Sequence, residues 1–299
     1  MTAFFSLIKR NIKLFFNDKG AFFASLITPI ILLILYATFL QGVYKSSFLS
    51  GFESFTTPSD TIVGAVVSGE LVSSLLAVSC VTVAFCSNMI MVNDKISGAK
   101  KDFDMTPVKK EIISISYFFA SLFNTLIISF TAFVLGLIYT AFQGWLLSFT
   151  DVLMLLLAII LLSSFGTILS SIVNLFLSSQ GQITAVGTVV SSAYGFIAGA
   201  YMPISQYGSF LRNVLMFLPS TYATSIVRNY CLRGAYNKLE KDGYPTSAIN
   251  EIKKMFDCDL YFFSNKVSLL TMFIVLFASI IVLACLYLLL TKLLKRKKS

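Results

Sequence analysis

Residues 93–110 read NDKISGAKKDFDMTPVKK, a charged stretch that separates two long apolar runs. Charged residues make up only 12% of the 299-residue chain, and residues of the set AVILMFWYC make up 57%. A soluble domain carries about 25% charged residues, so a chain of this composition would not stay dissolved in water alone. The composition therefore indicates a membrane protein, and the charged stretch indicates a segment that leaves the bilayer.

The apolar runs are long enough to cross a bilayer as helices, which takes roughly 20 mostly apolar residues each. Six runs meet this length, at about residues 21–41, 62–91, 112–142, 150–178, 183–203 and 267–291. The sequence therefore predicts an all-α polytopic membrane protein with six transmembrane helices.

The basic residues are concentrated at the ends of these runs. Residues 1–20, 93–111 and 292–298 hold 14 of the 23 Lys and Arg residues. Six spans would bring all three segments to one side, and basic loops favour the cytoplasm, so we expect both termini to be cytoplasmic. The basic charge forms no patch with interleaved aromatic residues, so the sequence does not indicate binding of nucleic acid.

Two segments outside the spans have a character of their own. Residues 4–17 place apolar and basic side chains on opposite faces of a helix. This pattern predicts an amphipathic helix within residues 1–20 that lies in the membrane interface, the alternative being an extension of the first span. Residues 204–218 are too short to cross a bilayer and are interpreted as a re-entrant or interfacial element. Residues 219–266 are interpreted as a small extracellular subdomain.

Three features within this frame leave alternatives open. Glu70 lies in the outer third of the second predicted span, where a carboxylate indicates either a functional site or a side chain that reaches the outer water boundary. Cys231 and Cys258 form either a disulfide or two free thiols. The fifth predicted span has small residues at intervals of four, which favour close helix packing within the chain or with a second copy. These small residues are Gly187, Ser191, Gly195 and Gly199.

Several classes of chemistry are excluded by the residues that the sequence lacks. It has no G-x-x-x-x-G-K-[ST] motif, so we do not expect nucleotide hydrolysis by this chain. It has no His, which excludes a Ser–His hydrolase and a His-ligated metal centre. We therefore expect no catalytic residue, no bound metal and no cofactor in this chain.

Two local patterns carry a resemblance to a known family. The first is Asp94, Gly98 and then Thr106-Pro107-Val108-Lys109-Lys110, and the second comprises residues 198–205, residues 218–223 and Arg228. With the amphipathic first helix and the six spans, they resemble the permease subunit of a type-2 ABC exporter over nearly the whole chain. This class includes bacterial drug, haemolysin and polysaccharide exporters. Its members often have Glu and a Gly-Thr pair where this chain has Asp94 and Gly98-Ala99.

The resemblance implies a six-span permease domain over residues 21–299 in the bacterial cell membrane. It further implies a homodimer or heterodimer of permeases that binds two copies of a separate ABC ATPase, which holds ATP and magnesium. Residues 93–106 would form one coupling helix in a groove of the ATPase. The candidate coupling residues are Asp94, Lys95, Gly98, Lys101, Asp102, Phe103, Thr106 and Pro107. The candidates for the translocation path or gate are Glu70, Gly195, Gly199, Pro203 and Pro219, with the second and fifth spans beside the path.

The expected function is export of an amphipathic cargo, such as a drug, a peptide or a toxin-like lipid, by alternating access. The rival interpretation is a stand-alone secondary carrier or channel that needs no ATPase. Because Glu70 is the only acid well inside a predicted span, coupling to protons or sodium ions has less support. A P-loop protein encoded beside this one would favour the exporter.

Overall fold

The computed structural model describes residues 2–52, 56–263 and 265–296, apart from the side chains of Thr2, Asp104 and residues 294–296. The described part is almost wholly helical, and a π-helical turn joins α2 to α3 while a 3-10 turn precedes α10. The predicted basic cluster at the carboxyl end includes Lys297 and Lys298, which lie outside the described residues. The elements are α1 (Thr2–Asn17), α2 (Lys19–Leu35), the π turn (Tyr36–Leu40), α3 (Gln41–Ser50), α4 (Asp60–Asn88), α5 (Ile90–Ile96), α6 (Ala99–Asp104), α7 (Lys110–Gln143), α8 (Phe149–Phe176), α9 (Gln180–Ile197), the 3-10 turn (Ile204–Gln206), α10 (Ser209–Leu215), α11 (Pro219–Lys241), α12 (Thr246–Met255), the antiparallel strands β1 (Tyr261–Phe262) and β2 (Asn265–Lys266), and α13 (Leu269–Arg296).

Five helical segments in the described residues are long and apolar enough to cross a membrane: Lys19–Ser50, Asp60–Ile96, Lys110–Gln143, Phe149–Phe176 and Leu269–Leu293. The fifth run of the sequence, residues 183–203, is not among them. It forms α9, which ends at Ile197 and begins with a polar turn. Its 18 residues correspond to about 27 Å of helix, close to the roughly 30 Å of a bilayer core. The count of six spans therefore stays a prediction.

Helix α4 forms the centre of the bundle and packs against α2, α7, α8, α9 and α11. Of its 29 residues, 25 are buried. A helix that is apolar on all sides is expected to be enclosed by other helices or lipid, and here its own chain encloses it. Hence α4, the second predicted span, has almost no surface left to line a path in this protomer.

Small residues set how closely the neighbours approach α4. A Cβ added at Gly69 would lie 2.9 Å from the backbone oxygen of Cys231 on α11, and one at Gly166 of α8 would lie 3.0 Å from the Cα of Val81. Helices in a membrane gain most of their association energy from such close packing, because lipid is as apolar as the helix surface. Glycines therefore determine the contacts of α4 with α8 and α11.

The segment after Pro203 is built onto the bundle. Helix α11 packs against α4, α8 and α13, so the predicted subdomain 219–266 is continuous with the core of the protein. The predicted re-entrant element 204–218 consists of the 3-10 turn and α10. Cys231 and Cys258 are both buried and both free, so they form no disulfide.

The amino-terminal segment is a separate helix, as the break at residues 17–20 predicts. Helix α1 ends at Asn17, and the carboxylate of Asp18 accepts a hydrogen bond from the backbone N–H of Ala21, which caps the start of α2. Helix α1 packs along α7, with Phe15 buried and Phe5 exposed. Its position in the membrane interface stays a prediction.

Candidate functional site

The charged segment of residues 93–107 is bent in the middle. Helix α5 ends at Ile96, Gly98 has φ +86°, and α6 runs from Ala99 to Asp104. The prediction of one continuous coupling helix is therefore wrong, because Gly98 adopts a left-handed conformation that ends one helix and starts the next. The carboxyl end is as expected: the hydroxyl of Thr106 donates to the carbonyl oxygen of Phe103 at 2.7 Å, and Pro107 prevents further helix.

Asp94 connects this segment to two other helices. Its carboxylate accepts two hydrogen bonds from the guanidinium of Arg10 on α1, at 2.6 and 2.9 Å, and one from the hydroxyl of Tyr117 on α7, at 2.5 Å. A guanidinium that binds both oxygens of a carboxylate forms one of the stronger polar contacts in proteins. The hydrogen bond to Asp94 raises the pKa of Arg10 above its usual value despite partial burial, so the guanidinium stays charged.

Lys95 connects the segment to α8. Its ammonium group donates to the backbone oxygens of Asn174, Leu175 and Leu177, at 2.6, 2.9 and 2.9 Å. The last carbonyl groups of a helix have no partner within the helix, and the helix dipole places partial negative charge there. Lys95 therefore caps the carboxyl end of α8 and is not directed at an external protein.

The remaining candidate residues divide between the interior and the solvent. Phe103 is half-buried beneath Arg10, whose guanidinium carbon lies 4.8 Å from the ring centre. Lys101, Asp102, Thr106 and Pro107 are exposed. Met105, an apolar residue that is 83% exposed beside them, was not among the candidates predicted from the sequence. The signal for it was present in the sequence, since it is the one long apolar side chain between Asp104 and Pro107.

The opposite end of α4 carries a buried ion cluster, which we define as Glu70, Arg228 and Asp257. Arg228 on α11 is fully buried, at 0% exposure, and so is Glu70. The Nη2 atom of Arg228 lies 2.8 Å from Oε1 of Glu70, and its Nη1 atom lies 3.6 Å from Oδ2 of Asp257. Glu70 is therefore not at a water boundary. Its partners are far away in sequence, which is why the sequence alone left this alternative open.

The ion cluster also binds the backbone that follows α9. Arg228 donates to the carbonyl oxygen of Gly199 at 3.1 Å. The carboxylate of Asp257 accepts from the backbone N–H groups of Ile204 and Ser205, the second at 3.0 Å. Burial raises the pKa of Asp257, and the charge of Arg228 and these hydrogen bonds lower it in part. Asp257 is thus a functional candidate that the sequence analysis missed, because no spacing pattern connects it to Glu70.

The hydrogen bonds of the ion cluster are incomplete. In the described part of the chain, Oε2 of Glu70 and Nε of Arg228 are buried without a hydrogen-bond partner. A buried polar atom that lacks a partner costs about 1–3 kcal/mol. These two atoms could therefore gain hydrogen-bond partners in a second arrangement of the helices.

The gate candidates occupy different places relative to this cluster. Gly199 has φ +71°, and its carbonyl oxygen accepts a hydrogen bond from Arg228. Pro203 directly precedes Ile204 and Ser205, whose backbone N–H groups donate to Asp257. At Gly195, an added Cβ would lie 2.3 Å from the ring of Tyr201 in the same chain. Gly195 therefore packs against the turn that follows α9. Pro219 is the first residue of α11, a position that favours Pro, and it makes none of the contacts of the cluster.

Comparison with known proteins gives one match. The model of a family described as ABC-2 type transporter matches residues 2–232. This range includes the charged segment, Glu70 and Arg228, whereas Asp257 lies beyond it. No curated protein and no solved structure matches the chain.

Proposed function

Because the chain belongs to the ABC-2 type transporter family, it is a membrane subunit of an ABC-type transporter, and we propose that it exports an amphipathic cargo. Families of this kind work with an ABC ATPase as the partner that hydrolyses ATP. In the proposal, two permease copies bind two ATPase copies at the bacterial cytoplasmic membrane. Each permease spans the membrane six times, with α9 as the additional span and both termini in the cytoplasm.

The observation that supports ATP coupling is how the charged segment is held. Asp94 binds α1 and α7, and Lys95 binds the end of α8, so a displacement of α5 and α6 must move several helices together. Around Met105, the side chains of Lys101, Asp102, Thr106 and Pro107 are exposed and provide the surface that binds the ATPase in the proposal. A force applied at this exposed side would therefore reach the whole bundle.

Helix α4 connects this segment to the ion cluster. The 18 residues from Glu70 to the end of α4 at Asn88 correspond to about 27 Å of helix, close to the roughly 30 Å of a bilayer core, and α5 follows after Met89. Helices of this kind move as rigid bodies between two packed arrangements. In the proposal, ATP-driven movement of α5 shifts α4 against α11, and the ion cluster exchanges partners as access changes from one side to the other.

The state of Glu70 favours this mechanism over a secondary carrier. A proton- or sodium-coupled carrier needs an ionisable group within the membrane that can exchange its ion. Glu70 is neutralised by Arg228 at 2.8 Å and has no exposed surface. Binding of a transported cation at Glu70 would first have to break this pair.

Co-purification of the chain with an ABC ATPase from the same cells tests the proposal. We expect Met105→Asp to weaken the complex at least tenfold and to abolish export, because a charge would replace an apolar contact in the groove. Lys241→Asp is the matched control, since Lys241 is exposed at the opposite end of the protein. If no ATPase purifies with the wild-type chain, ATP-driven export is wrong. If the ATPase binds both variants equally, the charged segment is not the contact.

A further inference from the structure

A pocket lies at the end of the protein opposite the charged segment, between α10, the end of α12 and the β-hairpin. Its volume is about 270 Å³, and the ion cluster borders it through Asp257. The side chains that determine its chemistry are Arg212, Lys254, Asp257, Asp259, Tyr261 and Phe263. Pockets for drug-sized molecules have roughly 300–1,000 Å³, so this one suits a smaller group.

The lining of the pocket has two cations, Arg212 and Lys254, and two carboxylates, Asp257 and Asp259. Both of its carboxylates are already bound within the chain: Asp257 faces Arg228 at 3.6 Å, and Asp259 accepts a hydrogen bond from Lys266 at 2.5 Å. Arg212 has no ion-pair partner in residues 2–52, 56–263 and 265–296, and neither has Lys254, whose ammonium lies 5.5 Å from the ring centre of Tyr261. Two cations are therefore available to a ligand.

The rim of the pocket has the surface expected of a protein that faces lipid. Phe210 and Val214 are exposed on α10, and Phe217 follows on the same side one turn later, also exposed. Residues at i, i+4 and i+7 share one face of a helix, and Arg212 lies on the other face, where it lines the pocket. Phe263 of the hairpin extends the apolar surface. Such an element lies at the boundary between headgroups and acyl chains.

We propose that this pocket binds the anionic headgroup of a phospholipid in the bilayer leaflet at that end of the protein. The phosphate lies between Arg212 and Lys254, and the acyl chains follow the apolar face of α10 into the bilayer. The small volume matches a headgroup whose chains remain outside. The inference requires a membrane-embedded protein and does not depend on export or on the ATPase.

The site has a consequence for the neighbouring ion cluster. The backbone N–H groups of Ile204 and Ser205 bind Asp257, and both residues also line the pocket. A headgroup therefore touches the same turn that holds Asp257 near Arg228. Occupancy of the pocket would stabilise the arrangement of α9, α11 and α12 that the structure shows.

Lipid retention by the full-length chain tests the site. The protein is reconstituted with phosphatidylcholine and increasing phosphatidylglycerol, and bound lipid is counted by native mass spectrometry. We expect the wild type to retain phosphatidylglycerol, with affinity falling about fivefold for each cation removed in Arg212→Gln and Lys254→Gln. Lys241→Gln removes an exposed cation from α11 outside the pocket and should retain the wild-type affinity.

Each other outcome contradicts the proposal. Equal retention by Lys254→Gln and Lys241→Gln would mean that the lipid binds elsewhere. Lys254 is exposed, so this variant should fold even if Arg212→Gln does not. Inorganic phosphate is the second probe: if it raises the thermal unfolding temperature in phosphatidylcholine as much as phosphatidylglycerol does, the ligand is a free anion and not a lipid.

Discussion

Replacement of Arg228 by Gln should be among the most destabilising single changes in this protein. The side chain is fully buried and lies close to two carboxylates, at 2.8 and 3.6 Å. Gln preserves much of the volume but removes the charge, which leaves Glu70 and Asp257 buried without their cation. Removing one partner of a buried ion pair costs about 3–5 kcal/mol. We expect a loss of this size for Arg228→Gln.

The ion cluster has one cation and two carboxylates, so the loss of stability should depend on which residue is replaced. In Glu70→Gln, Arg228 keeps Asp257, so the loss should be smaller, about 1.5–3 kcal/mol, the value of a hydrogen bond to a charged group. Exchange of the two residues, Glu70→Arg with Arg228→Glu, should not restore stability, because the new carboxylate at position 228 would lie beside Asp257. A simple pair without Asp257 would tolerate the exchange better.

Lys238→Gln on the same helix is the control. Lys238 also forms an ion pair, at 2.7 Å from Asp242, but both side chains are partly exposed, at 47% and 32%. Exposed pairs contribute about 1 kcal/mol or less. Unfolding in detergent can be followed by the fluorescence of Trp145, the one Trp in the sequence. If Arg228→Gln loses no more stability than Lys238→Gln, the cluster is hydrated and the predicted loss for Arg228→Gln is wrong.

Three further predictions concern the orientation, the charged segment and the end of α9. A single Cys at position 241 should react with an impermeant reagent in intact cells, and one at position 100 only after lysis; the reverse would overturn the orientation. Gly98→Ala should lower the free energy of unfolding by about 1–2 kcal/mol, because Gly98 has a left-handed backbone conformation. Gly98→Pro, with φ fixed near −65°, should abolish ATPase binding. Normal binding by Gly98→Pro would contradict the assigned bend. Gly195→Leu should reduce membrane abundance through its clash with Tyr201, and unchanged abundance with loss of export would instead restore Gly195 as a gate residue.

Most membrane-spanning helices were predictable from the sequence, because the bilayer requires a minimum helix length. Five of the six predicted runs appear as helices that can cross a membrane, because the thickness of the hydrocarbon core sets a minimum apolar run that is visible in one dimension. Helix α9 is the exception, since its polar start lowers its mean hydropathy below that of the others. The break after α1 was also predictable, because residues 17–20 interrupt a regular amphipathic pattern.

The candidate site was less predictable, for reasons that individual residues make clear. Asp94 and Lys95 are near neighbours in a charged stretch, and nothing local shows that they bind inward, to Arg10 and to the end of α8. The bend at Gly98 depends on a backbone conformation that glycine allows but does not require. The partnership of Glu70 with Arg228 joins residues 158 positions apart, and only the packing of α11 on α4 brings them together.

The enclosure of α4 has a consequence for any search for residues that select the cargo. Substitutions at buried positions of α4, such as Ser73 or Ala77, act on contacts between helices, so lost transport there reports altered packing or coupling and not a lost contact with the cargo. Helix α9 offers the opposite case, because Thr188 and Ser192 face outward with hydroxyls that bond to their own helix. Substitution at these two positions should leave the amount of protein in the membrane unchanged, so a change in transport there would report on the exposed surface of α9.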